Sequence, residues 1–357
     1  VNEQKITGGL KRLVDQVNEI GLEFGIWFEP EMISPDSDLY RTHPDWAIAL
    51  PGRTPCRSRN QYVLDLSRKE VRDYAYECVA SILRSANIAY VKWDMNRQLT
   101  DLGSSALPVE NQGELLHRYV LGVYELQERL ITGFPELLLE NCSGGGARFD
   151  PGMLYYAPQG WTSDDSDAIE RLKIQYGTSL CYPISSMGSH VSVIPNHQVF
   201  RKTPLHTRAN VAYFGTFGYE LDLNSLKEEE IAEVKEQIIF MKKYRKLFQF
   251  GDFYRLKSPF EGNETIWMVV SEDKKTAIVG YYRTLNGVNQ AYSRIKLQGL
   301  DPDMLYENIL NKTENYGDEL MNFGLITTDV TAGEVPGDAT PCTDFESRIY
   351  ILKAKEK

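Results

Sequence analysis

From residue 1 to about 250 the chain alternates two patterns: stretches in which apolar residues recur every three or four positions, and short apolar runs that stop on polar residues. LKRLVDQVNEIG reads as an amphipathic helix closed by Gly21, and EFGIWFEPEM as the strand after it. YVLDLSR is the next strand, KEVRDYAYECVASILRSAN the next helix and AYVKWDMNR the strand that follows. A helix over about 111–133, the strand ELLLENCSGGG, the strand-like GWTSDD, the helix DAIERLKIQYGTSL and a short strand at MGSHVSV complete the series. Such an alternation predicts a parallel sheet, either doubly wound or closed as a (β/α)8 barrel.

The polar residues separate these two options. In WFEPEM, LDLSR, KWDMNR, ENCSGG and WTSDD an apolar run ends in carboxylates, Arg, Lys or Asn, which fits one shared mouth at the C-terminal ends of barrel strands. The pattern changes after LKEEEIAEVKEQIIFMKKYRKLF. FYRLKSPF, ETIWMVVSE, TAIVGYYRT, SRIKLQGL and SRIYILKA are short strand-like runs between polar turns, with no helix among them. Two domains are expected: an α/β TIM barrel over residues 1–250 and a small antiparallel β-sandwich over 251–357.

Composition narrows the function classes. Of 357 residues, 50 are acidic and 39 basic, and a net charge of −11 repels a phosphate backbone or an anionic bilayer. No run approaches the roughly 18 apolar residues that a membrane span needs. Nucleic acid and membrane are therefore excluded as partners. Cys56, Cys78, Cys142, Cys181 and Cys342 are odd in number and without CxxC spacing, so they read as reduced thiols. The first residues carry charge throughout and lack an apolar core, which gives a cytoplasmic expectation. No HxH, HExxH, GxGxxG or GxxxxGK[ST] occurs, so neither a metal nor a nucleotide is expected.

KWDMNR carries the most chemistry. On a strand, residues two apart share a face, so Lys92, Asp94 and Asn96 point together, away from Trp93 and Met95. A carboxylate between a cation and an amide has its ionised form favoured, as a nucleophile requires; a buried ion pair is the structural alternative. In GWTSDDSDAIERL, Asp167 with Glu170 fits a helix N-cap, and Asp165 points away from Asp164. Asp164, close after Trp161, is left as a candidate general acid, because an aromatic neighbour can desolvate a carboxyl. Two carboxylates on different strands of one mouth are the equipment of glycoside hydrolysis, but Glu29, Glu31, Asp65 and Glu140 also lie at strand ends and compete. Cys142 can be taken as a thiol nucleophile or as a small residue beside the turn Gly144–Gly146; Arg59 and Trp27 read as mouth residues or as an ion pair and core packing.

At these motifs the sequence resembles the bacterial α-galactosidases of glycoside hydrolase family 36. The likeness runs through GIWFEPEM, YVLDLSR, YVKWDMNR, LLLENCSGGGARFD, GWTSDDSDAIERLKIQYGTS, MGSHVSVIPNHQ and TPLHTRANVAYFGTFGYELDL, and extends to the C-terminal β domain. It implies a retaining hydrolase of terminal α-galactosides such as melibiose and raffinose, on a (β/α)8 barrel, with no cofactor and as a homo-oligomer, a tetramer. It implies Asp94 as nucleophile, Asp164 as acid/base, and Trp27, Arg59, Lys92, Asn96, Cys142, Gly145 and Trp161 as substrate-binding residues. Asp165 stands where the family often has Asn. EFGIWFEPEM looks like the third barrel strand, so strands three to eight are expected here and the chain reads as the C-terminal half of a longer enzyme. A transglycosylase or α-N-acetylgalactosaminidase on the same carboxylates, or a non-catalytic sugar-binding segment, are the alternatives.

Overall fold

The computed structural model describes residues 2, 4–288, 293–327 and 344–355; Cys342, read as a reduced thiol, lies outside the described residues. Two compact units form, Val1–Asp164 and Asp165–Lys357.

In the first unit, helix α1 (Gly9–Glu19) leads into β1 (Phe24–Phe28). Next come β2 (Met32–Ile33), α2 (Asp38–Thr42), β3 (Tyr62–Val63), α3 (Lys69–Ser85) and β4 (Ile88–Trp93). The unit ends with α4 (Leu115–Gly133), β5 (Leu138–Asn141), α5 (Pro151–Tyr156) and β6 (Gln159–Gly160). Strands β1, β4, β5 and β6 pair side by side, all parallel. The helices supply the cover that parallel sheets need. Val71, Ala75, Val79 and Leu83 form one buried stripe of α3, and Leu115, Tyr119, Val123, Leu126 and Leu130 one of α4.

The register of this sheet builds the mouth. Phe28 pairs with Trp93, Trp93 with Asn141, and Asn141 with Gly160. The residues that follow these four, namely Glu29, Asp94, Cys142 and Trp161, therefore emerge together at one edge.

YVLDLSR departs from its expected place. Only Tyr62–Val63 is strand, antiparallel to Met32–Ile33 and outside the parallel sheet. Its remaining backbone bonds to loops: the Leu64 amide donates to Glu31 O and the Asp65 amide to Trp46 O. Alternation fixes which side chains are buried but not which strand is the partner.

The second unit opens with α6 (Ala168–Thr178), whose N-cap is Asp167, as its spacing predicts; its carboxylate accepts from the Ile169 and Glu170 amides at 3.1 Å each. β7 (Gly188–Ser192), α7 (Leu205–Ala212), β8 (Thr216–Glu220) and α8 (Glu228–Phe250) follow. β7 and β8 are parallel partners. The sequence pattern does not predict the strand in TFGYE: Thr216–Tyr219 are all half-buried, Glu220 is exposed and Gly218 interrupts the run, so it shows no alternation.

Beyond α8 come β9 (Asp252–Lys257), β10 (Glu264–Val270), β11 (Thr276–Arg283) and β12 (Arg294–Ile295). Then follow β13 (Leu305–Asn308), β14 (Glu314–Tyr316), α9 (Gly317–Asn322), β15 (Leu325–Ile326) and β16 (Glu346–Ala354). Six of these strands form one antiparallel sheet in the order β14-β13-β16-β11-β10-β9, while β12 pairs with β15. Ile266, Met268, Val270, Val279, Tyr281, Tyr350 and Leu352 centre its core. Helix α9 corrects the expectation of a helix-free segment.

Candidate active site

Asp94 leaves β4 into a ring of donors. Its Oδ2 accepts from Trp27 Nε1 at 3.0 Å and from Asn96 Nδ2 at 2.7 Å, and its Oδ1 from its neighbour's amide, Met95 N, at 2.8 Å. The Cys142 thiol is a further partner. The carboxylate is 6% exposed. Burial alone would raise its pKa, but the bonds from Trp27, Asn96, Cys142 and Met95 outweigh burial and hold it below the ordinary 3.8. The ionised form is therefore the stable one at neutral pH.

Cys142 is the complement of this. It is 2% exposed, and burial pushes its thiol up to about 12, against the opposing charge of Lys92. A thiol that keeps its proton donates rather than attacks. The nucleophilic reading of Cys142 therefore fails on electrostatics.

Lys92 lies on β4 with its Nζ 3.4 Å from Glu140 Oε1 and 4.7 Å from the centre of the Trp161 ring. The Tyr90 hydroxyl donates to the other Glu140 oxygen, and desolvation followed by the Glu140 charge raises the Tyr90 pKa. Trp161 in turn donates from Nε1 to Asp164 Oδ1 at 3.1 Å. One indole thus carries the ammonium on its face and holds the exposed Asp164 with its edge.

The glycine turn joins both aspartates. Gly145 has φ +83°, and a Cβ there would stand 2.8 Å from Ser163 Cα and 2.9 Å from Asp164 N; at Gly146 it would stand 2.4 Å from Thr162 O. Only glycine allows the loop to press so closely on the chain that carries Asp164. The same loop begins at Cys142, whose thiol meets Asp94.

Arg59 is set differently. It is exposed at the tip of a two-residue turn, with φ +52° at Arg59 and +60° at Asn60, between the bridged pair Ser58 and Gln61. The turn is pinned by Arg97, whose guanidinium donates to Cys56 O at 2.9 Å and Gln61 O at 2.8 Å. Gln61 donates to Glu29 Oε2 at 3.0 Å, and Glu29 Oε1 accepts from the Asn96 amide at 3.2 Å. The sequence does not single out Arg97, because it stands next to Asn96 and reads as part of a polar tail.

The rival carboxylates are occupied elsewhere. Glu31 is fully buried, paired with Arg148 and bonded by Trp93 and Tyr119. Asp65, also fully buried, accepts from the amide and hydroxyl of Ser67 and from the Ser104 hydroxyl. A cavity of about 460 Å³ is lined by Asn96 and by Tyr119, Val123 and Arg148, but by neither Asp94 nor Asp164. Among the described residues no group of three or more His, Cys, Asp or Glu could hold a metal, and no helix is long and apolar enough to cross a membrane.

These features have counterparts. The melibiase family model matches residues 1–251, and that of the glycosyl hydrolase family 36 C-terminal domain matches residues 264–352. The chain belongs to glycoside hydrolase family 36, the melibiase family, and its class is α/β, a (β/α)8-barrel type with an antiparallel C-terminal domain. Alpha-galactosidase AgaA of Geobacillus stearothermophilus is 56% identical over 359 residues, covering 100% of this chain and 47% of that protein. Alpha-galactosidase Mel36A of Lactobacillus acidophilus is 49% identical over 354 residues, covering 99% and 47%. A solved structure of an AgaA variant in complex with raffinose matches with a TM-score of 0.93 at 52% identity, covering 99% of this chain and 48% of that one. The α-galactosidase from Lactobacillus brevis gives 0.95 at 47% identity, covering 100% and 48%. The chain spans about half the length of the curated relatives it matches.

Proposed function

We propose that this chain carries the two catalytic carboxylates of a retaining α-galactosidase that releases terminal α-linked galactose from sugars such as raffinose and melibiose. Asp94 attacks the anomeric carbon to form a galactosyl-enzyme while Asp164 protonates the departing oxygen. Asp164 then takes a proton from water, which displaces Asp94 and restores the starting configuration. The observation that carries this reading is the Asp94 carboxylate, buried yet held ionised by four donors, beside a loop that also abuts Asp164. Lys92, Asn96, Trp27, Arg59, Gly145 and Trp161 serve galactose binding in this reading.

Two further facts support it. The curated relatives are named α-galactosidases. AgaA complexes with raffinose and with stachyose were obtained from variants in each of which a different aspartate is replaced, and the spacing of those two aspartates along AgaA equals that of Asp94 and Asp164. We place the catalytic domain at 1–250 and the β domain at 251–357. The free thiols Cys56, Cys78, Cys142 and Cys181 favour the cytoplasm as the site of action. A homotetramer belongs to the same proposal, and light scattering checks it.

The test is proton NMR of melibiose hydrolysis. α-Galactose as the first-formed anomer is expected; β-galactose first, or no galactose release, contradicts the mechanism.

A further inference from the structure

We infer that the buried pair Glu31–Arg148 is a positioning device for Asp164, acting through the glycine turn; this rests on the acid/base reading of Asp164 above. Glu31 is 0% exposed, so no sugar reaches it. Its Oε2 accepts from Arg148 Nη1 at 3.0 Å, and its Oε1 lies 2.9 Å from Arg148 Nη2, one hydrogen bond beside a second close charge contact. Its remaining contacts go to both neighbouring elements. Trp93 Nε1 on β4 donates to Oε1 at 2.7 Å, and the Tyr119 hydroxyl on α4 donates to Oε2 at 2.5 Å.

Arg148 ends the turn that begins at Cys142. Its carbonyl accepts from Asn141 Nδ2 at 3.1 Å, and the Phe149 amide donates to Gly146 O at 3.1 Å. The start of the turn continues β5 at Cys142, and its end is tied to β5 through Asn141 and to Glu31 through the Arg148 guanidinium. Between these ties Gly145 and Gly146 rest on the backbone of Thr162, Ser163 and Asp164. The strand that leads into that backbone, β6, is only Gln159–Gly160. Asp94 by contrast follows the six-residue strand β4, which is paired on both edges, with β1 and with β5. Loosening the ion pair should therefore displace the acid/base carboxylate more than the nucleophile. A buried pair with one partner removed leaves an uncompensated charge, so the turn shifts rather than merely softens.

Leaving-group dependence separates this role from plain stability. p-Nitrophenolate departs with little protonation, whereas the sugar alkoxide from melibiose needs it. Arg148→Met, confirmed folded by circular dichroism, should lose about 100-fold in kcat on melibiose and less than about tenfold on p-nitrophenyl α-galactoside, with KM nearly unchanged. Arg148→Lys should show the same split at smaller size, and it carries the test should Arg148→Met fail to fold. Equal loss on both substrates in a folded variant, or no loss on melibiose, overturns the proposal. A wild-type protein that cleaves neither substrate overturns the hydrolase reading itself, and this inference with it.

Discussion

At Asp94 the number of donors decides the chemistry. The Cys142 thiol is one of four, and it stays protonated because burial pushes it up to about 12. Cys142→Ala removes a bond that favours the carboxylate, so the Asp94 pKa should rise, and the acidic limb of the kcat/KM profile against pH should move upward with little change at neutral pH. An unmoved limb would remove Cys142 from the account. The two aspartates should also fail differently when each is changed to Asn. Asp164→Asn should lower turnover of melibiose by about 10²- to 10⁴-fold while sparing activated aryl galactosides, whereas Asp94→Asn should abolish both, since no galactosyl-enzyme forms. Parallel steady-state kinetics on the two substrates read this directly. Much of this site is legible in residue types alone: the period of two in KWDMNR puts Asp94 and Asn96 together, and Asp167 with Glu170 marks a helix start. The pairing of Glu31 with Arg148 is not legible, because the partners are far apart in sequence and no local pattern links FEPEM to GARFD.

Among the elements, the turn between β5 and α5 governs the site. Gly145→Ala places a methyl against Ser163 and Asp164 at a left-handed φ, so it should cost about 1–3 kcal/mol of stability and, by displacing Asp164, about 100-fold in kcat. Gly144, with φ +52° and nothing within 4 Å of a Cβ, is the control. Its change to Ala should cost about 1 kcal/mol and leave kcat within a few-fold. Thermal melts with kinetics on both variants distinguish the two, and equal kcat losses would contradict the contact argument. The elements themselves are read from sequence with uneven success for a physical reason. α3, α4, α8, β4 and β5 have strong periodicity or long apolar runs. YVLDLSR has the alternation of a strand but spends its backbone bonds on loop carbonyls, and TFGYE has a strand's backbone without the alternation.

The molecule as a whole carries a net charge of −11, and its acid stability turns on carboxylates held below their ordinary pKa. Glu346 is the largest case with a value. Burial works against it, but His206, the Ser347 amide and Arg348 hold it down to about 2 from 4.5. A depressed folded-state pKa gives stability that is fully present above about 4.5 and is lost as pH falls toward 2. Melting temperatures of wild type and Glu346→Gln should therefore differ most above pH 5 and converge as pH falls toward 2. A constant gap across that range would assign the effect to packing rather than to charge.

The most direct measurement of the central claim is a trapped intermediate. An activated 2-deoxy-2-fluoro-α-galactoside incubated with the protein, followed by proteolysis and mass spectrometry, should place one fluorogalactosyl group on the peptide that contains Asp94. A label on the peptide of Asp164 or Glu140, or turnover with no covalent adduct under any condition, would contradict the account.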